Sequence, residues 1–188
     1  MKIRIIGVGG CGRNAVNNLI DLGLYPESTV YVDTDTNSLP ASHSHINLTI
    51  GASIARKIGT GTNIELGRAA AELSKAEIEE IVADADFVLL LAGLGGGVGT
   101  AVTPFIAELV PKTAKIYAVV TTPADYEPKK RKDLAEESLR RLIDLIGAEN
   151  VRVVRQISDG INALIKTLTT ADREVTESAK DILSTITQ

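Results

Sequence analysis

The chain has 188 residues, 44% hydrophobic and only 3% aromatic, which is material for one core and one domain over 1–188. Its net charge of −4 excludes a surface built to neutralise many backbone phosphates, so nucleic acid is not an expected partner. A single cysteine, Cys11, with two histidines, His43 and His45, excludes an internal disulfide and falls short of a structural zinc set.

Met1 leads straight into a β-branched strand pattern, Ile3–Val8, and no apolar run approaches membrane-spanning length; a cytoplasmic protein with no membrane segment is expected. The strand runs into Gly7-Val8-Gly9-Gly10-Cys11-Gly12, a G-x-G-x-x-G spacing, and a helix over Asn14–Leu22 that places Ala15, Leu19 and Leu22 on one face. A second strand, Thr29–Val32, ends at Asp33, and the Ser-rich stretch holding His43 and His45 has the composition of a solvated turn. Gly59-Thr60-Gly61-Thr62-Asn63 then precedes a helix over Glu65–Val82, whose core-facing stripe is Ala69, Leu73 and Ile78. Phe87–Ala92 shows no period of two, as expected of a parallel strand covered on both faces, and is followed by Gly93-Leu94-Gly95-Gly96-Gly97-Val98-Gly99-Thr100, which opens another helix. The strand Ile116–Thr121 leads to a mixed-charge helix start at Lys129-Lys130-Arg131-Lys132. The helix Lys132–Ile146 carries Leu134, Leu142 and Leu145 and stops at Gly147. Val151–Val154 is the last strand, and Thr170–Gln188 an amphipathic helix with Ala171, Val175, Ile182 and Ile186 on its stripe. Strands and helices alternate throughout. The expected class is α/β: a doubly wound, mostly parallel sheet with helices on both faces, ending in a long C-terminal helix.

The glycine loops carry the chemistry. Gly7–Gly12 admits two readings, a tight strand-to-helix turn or a backbone cradle for a phosphate at a helix N-terminus. With Asp33 about 20 residues on, where an acid can bind a ribose hydroxyl, it also fits a dinucleotide-binding half, which makes an NAD(P)-dependent oxidoreductase the rival. The denser loop at 93–100 is what the rival does not explain. Its glycines expose successive N–H groups ahead of a helix dipole, a nest suited to a di- or triphosphate. No lysine follows any of the three loops, so a P-loop is not supported and the phosphates would be held by backbone.

These motifs, in this order, resemble the FtsZ/tubulin family, FtsZ more than eukaryotic tubulin, over the whole run from first strand to last helix. Gly93–Thr100 resembles the signature GGGTG[ST]G, Gly7–Val16 (GVGGCGRNAV) the first FtsZ nucleotide loop, and Gly59–Gly67 (GTGTNIELG) the FtsZ segment GAGGNPEIG. The resemblance implies GTP or GDP as ligand, with Mg2+ as a candidate companion, and GTP hydrolysis coupled to filament assembly in cell division or a cytoskeleton. It places the phosphates along Gly9, Gly10, Cys11 and Gly12, within Gly93, Gly95, Gly96, Gly97, Val98, Gly99 and Thr100, and against a γ-phosphate sensor formed by Gly59, Thr60, Gly61, Thr62 and Asn63. It puts the ribose beside Pro123, Glu127 and Arg131, and the guanine against Asn14, Gln156 and Asp172. Asp172 matches the base-reading aspartate, whose carboxylate accepts from N1–H and the exocyclic amine; adenine offers no such donor pair. A plainer reading of Asp172 is an acid in the first turn of a helix, favoured by the dipole. The chain departs from the family at Val98 for threonine, at Ala101 and Pro128 for glycine, and at Arg155-Gln156 for a guanine-contacting asparagine. The family's loop after the long helix, whose acids activate water in the next subunit's site, and its second domain have no counterpart in these 188 residues. Hydrolysis by the chain alone is therefore expected to be weak. The expected partner is a like filament subunit, either by self-association or as a non-hydrolysing regulator of a full-length FtsZ.

Overall fold

The structure, a computed structural model, describes residues 1–35, 46–54, 60–156 and 164–186. Six parallel strands form one sheet in the order β3-β2-β1-β4-β5-β6: β1 (Ile3–Val8), β2 (Thr29–Asp33), β3 (Ile46–Thr49), β4 (Phe87–Gly93), β5 (Lys115–Thr122) and β6 (Val151–Arg155). Among the described residues six α-helices lie between and after them: α1 (Gly9–Asp21), α2 (Ile64–Leu73), α3 (Lys75–Val82), α4 (Gly97–Leu109), α5 (Lys129–Ile146) and α6 (Leu164–Ile186).

Strand alternation divides the core into two layers. In β4, Val88, Leu90 and Ala92 face one cluster with residues of α2, α3, α4 and α5, while Phe87, Leu89 and Leu91 face a second with Ala15, Val16 and Leu19 of α1 and Ala171, Val175, Ala179 and Leu183 of α6. Both faces of the strand are thus dry, which is why its sequence shows no period of two. The doubly wound class expected from the sequence is the one observed.

Several expected bounds shift. The helix expected over Glu65–Val82 is two helices broken at Ser74, whose N–H bonds back to the Ala70 and Ala71 carbonyls and whose hydroxyl accepts from the Gly51 N–H at 3.2 Å. No glycine or proline marks that break. Within α2 the buried residues are Gly67, Ala70 and Ala71, while Ala69 is exposed and Leu73 is 59% exposed; Ile78 of α3 is buried as expected. β3 has no counterpart among the expected strands, and α1, α5 and α6 begin earlier than periodicity indicates, at Gly9, Lys129 and Leu164. Glycine at the start of α1 and charge at that of α5 carry no apolar stripe, so the pattern hides those first turns.

Pro104 lies inside α4 and cannot donate to the carbonyl four residues back. That carbonyl belongs to Thr100, and the buried Ser138 hydroxyl of α5 donates to it at 2.7 Å. One hydroxyl thereby pins α5 to the start of α4. Ser138→Ala leaves the Thr100 carbonyl without this donor and is expected to destabilise by about 1–3 kcal/mol, measured by urea unfolding. An unchanged midpoint would mean that water or a shifted helix replaces the bond.

Candidate functional site

In this strand order the connections leave β1 toward β2 on one side and β4 toward β5 on the other, so the crevice between β1 and β4 is the topological switch point. A cleft of about 450 Å3 opens at the carboxyl ends of these strands, within the range of small-molecule sites. α1 and α4, each 13 residues long, start at its wall. Their dipoles place positive ends there.

The glycines of these loops do two different jobs. A Cβ on Gly12 would lie 2.3 Å from the Leu91 carbonyl oxygen, and one on Gly99 2.1 Å from that of Gly93; these two are glycine because helix and strand backbones touch. Around Gly10 and Gly96 a Cβ would meet nothing within 4 Å, and neither has a positive φ. Both line the cleft. Nothing in the protein's own packing requires glycine at these two positions, which is the pattern of a backbone kept bare for a ligand.

The loop after β4 is tied from several sides. Gly95, at φ +99°, donates its N–H to the Thr100 hydroxyl at 2.7 Å and accepts at its carbonyl from Arg131 Nε at 3.1 Å. The Gly97 N–H donates to the Gly61 carbonyl at 2.8 Å. Thr60, 7% exposed, holds its hydroxyl oxygen buried against Gly97 with no hydrogen-bond partner among the described residues, a cost that a ligand oxygen could relieve.

On the β5 side, Glu127 and Arg131 form an ion pair at 2.5 Å, and Glu127 also accepts from the Ala124 N–H at 3.1 Å. The Glu127 side chain is 14% exposed, and Arg131 bridges the loops after β4 and β5, so this pair is built into the wall rather than lying free on a surface. Cys11 also lines the cleft; burial pushes its thiol up to about 11, against the opposing effect of its hydrogen bond with Thr121. It is a neutral packing group near pH 7.

Of the sequence-derived residues, Gly9, Gly10, Cys11, Thr60, Gly61, Gly93, Gly96, Gly97, Val98, Gly99, Pro123, Glu127, Arg131 and Gln156 line this one cleft. Gly12, Gly95 and Thr100 stand behind it as framework. Asn63 caps α2, its side chain accepting from the Leu66 N–H at 3.0 Å, and Thr62 is exposed beside it. Gly59, with His43 and His45, lies outside the described residues. Asn14 and Asp172 do not line the cleft; they are joined to each other at 3.2 Å across α1 and α6. Asp172 sits more than two turns inside α6, so the helix-dipole reading of this acid loses its ground. Burial raises its carboxyl above the usual range, opposed by the Asn14 hydrogen bond and then by the Arg13 charge.

Sequence reasoning did not single out Arg13, Asp35 or Thr121, which also line the cleft. Side-chain direction from a helix start or a strand end has no sequence signal. Asp33 does line it, but one carboxylate oxygen accepts from the Tyr31 hydroxyl at 2.5 Å and the other from the Thr34 and Asp35 N–H groups at 2.6 and 3.3 Å. An acid so occupied by its own strand end is poorly placed to serve a dinucleotide ribose. The strand order alone does not separate the rivals, because dinucleotide folds share it.

The comparison with known families separates them: the description "Tubulin/FtsZ family, GTPase domain" matches residues 2–151. The chain belongs to the Tubulin/FtsZ family. An empty FtsZ dimer from M. jannaschii is 32% identical, covered over 95% of this chain and 53% of its own, with a TM-score of 0.85. CetZ2 from Haloferax volcanii, solved as a GTPγS-bound protofilament, is 24% identical over 97% of this chain and 58% of its own, with a TM-score of 0.79. The phage tubulin PhuZ with GDP is 20% identical over 100% of this chain and 57% of its own, also with a TM-score of 0.79. The last two show a shared fold. This FtsZ-like chain spans about half the length of these solved relatives. Among the described residues, no helix is long and apolar enough to cross a membrane.

Proposed function

We propose that this FtsZ-like domain binds GTP in the cleft between β1 and β4, with the phosphates on the loops after those strands and the sugar beside Glu127 and Arg131. The observation that carries the reading is that Gly10 and Gly96 line the cleft and are bare without any packing need. The α1 and α4 N-termini, with their N–H groups, supply the positive potential a polyphosphate needs where no lysine is present.

Asp172 and Asn14 are assigned to the guanine. A carboxylate accepts both donors of the guanine edge, and the Asn14 bond holds it in place from α1. Gln156, at the cleft rim after β6, is assigned to the same end. Among the described residues no cluster of three or more His, Cys, Asp or Glu side chains could hold a metal, so Mg2+ would be carried by the phosphates.

Hydrolysis needs a water aimed at the γ-phosphate and a group to orient it. Among the described residues the carboxylates on the cleft wall are Asp33, Asp35 and Glu127; Asp33 is held by its own strand end, Glu127 is paired with Arg131, and Asp35 too has a bonded or charged partner. We assign the water-activating acid to a neighbouring subunit in a filament, which makes hydrolysis dependent on assembly and the isolated chain slow. Cell division or another cytoskeletal task is the corresponding role.

Calorimetric titration with GTP, ATP and NAD, each with Mg2+, tests the ligand. GTP alone is expected to bind. NAD in preference to GTP would return the protein to the dinucleotide class, and binding of neither would remove the site. Steady-state GTPase by the chain alone is expected to stay low at every protein concentration; a substantial rate would place the acid within these residues.

A further inference from the structure

Arg13 is a cleft residue with no role in the site as so far described. It stands at the start of α1, next to Asn14, and both its Nε and one terminal nitrogen point at the Asn14 carboxamide oxygen, at 3.4 and 3.3 Å. The Asn14 amide nitrogen in turn donates to an Asp172 carboxylate oxygen at 3.2 Å. An amide can be turned either way about its last torsion, and only one orientation gives Asp172 a donor. The opposite one would set two oxygens face to face.

We propose that Arg13 is a positioning residue for guanine recognition: by holding the Asn14 oxygen it turns the Asn14 amide N–H toward Asp172 and keeps that carboxylate aimed. The proposal rests on the reading of the cleft as a GTP site with Asp172 at the base.

The surroundings favour a relay rather than a freestanding charge. Asn18 donates to the Thr176 hydroxyl at 3.2 Å, and that hydroxyl donates to the Asp172 backbone carbonyl at 2.8 Å, so α1 and α6 are zipped one turn further along and Asp172 cannot drift from Asn14. Other titratable or charged groups near Asp172 are Cys11 and Asp21 on α1, and Arg173 and Glu177 on α6 itself. Cys11 is neutral near pH 7, and Arg13 is the cation on the cleft side of this end. Burial opposes the ionised carboxyl, and the Asn14 bond and the Arg13 charge oppose burial.

The test compares GTP with ITP, which lacks the exocyclic amine, on the whole chain across pH 5 to 8. Arg13→Ala is expected to lower the GTP-to-ITP affinity ratio by about tenfold, the size of one charge-assisted hydrogen bond, and to move the acid limb of GTP binding to higher pH. Arg13→Lys keeps the charge but not the two-pronged grip; it is expected to restore the acid limb while leaving the ratio reduced. Thermal unfolding shows whether each variant is folded, and the lysine variant carries the test if the alanine variant is not. If both variants weaken GTP and ITP equally at every pH, Arg13 acts only as a charge on the phosphates and the proposal is overturned. If Asp172→Asn leaves the GTP-to-ITP ratio of the otherwise native chain unchanged, the base-reading assignment itself fails, and the relay with it.

Discussion

Gly10→Ala and Gly96→Ala are expected to weaken GTP binding about ten- to a hundredfold without destabilising the fold, because the added methyl group intrudes only on the cleft. Gly10 lies in the first turn of α1 with no positive φ, so alanine there should raise stability slightly, by ~0.5 kcal/mol. Gly12→Ala and Gly99→Ala should behave in the opposite way. Their methyl groups would lie 2.3 and 2.1 Å from backbone oxygens that cannot step aside, and a loss of at least ~3 kcal/mol is expected from a total of roughly 5–15 kcal/mol. Melting temperature and GTP titration on the four variants separate the two classes. Normal GTP affinity in both Gly10→Ala and Gly96→Ala would show that the bare backbone is not a phosphate cradle.

Asp172→Ala should cost about 3 kcal/mol of GTP affinity, more than a hundredfold, because two donors of the guanine edge lose an ionised acceptor. The native protein should show the same dependence through pH. Only the ionised carboxyl accepts from both donors, and burial has moved its protonation upward, so GTP affinity falls on acidification beginning above the ordinary carboxylate range. Loss of a ligand acceptor on protonation lowers affinity, and the mutant should show no such fall. A GTP profile as flat as that of the Asp172→Ala variant would take Asp172 out of the base site.

Much of this protein was legible before any coordinate. The alternation of apolar runs and amphipathic helices announced a parallel sheet covered on both sides, because a strand with two dry faces must be apolar at every position. The three glycine loops, costly to order otherwise, are the feature on which the proposed phosphate site rests. What could not be read is equally specific. The break at Ser74 depends on a hydroxyl meeting the Gly51 N–H from another loop, and the place of Ser138 depends on a carbonyl left over by Pro104 in a different helix. β3 is four residues at a sheet edge, too short for a period to declare itself.

The sequence by itself determined the class, the three glycine loops and the family resemblance, since these rest on residue type and spacing along the chain. Only the tertiary structure decided which glycines serve packing and which are bare at the cleft, that Asn63 caps a helix, and that Arg13, Asn14 and Asp172 form one chain of contacts. Position in space across distant segments is not a property of any local pattern. Asn14 and Asp172 are far apart along the chain and meet because α1 and α6 cover the same face of the sheet.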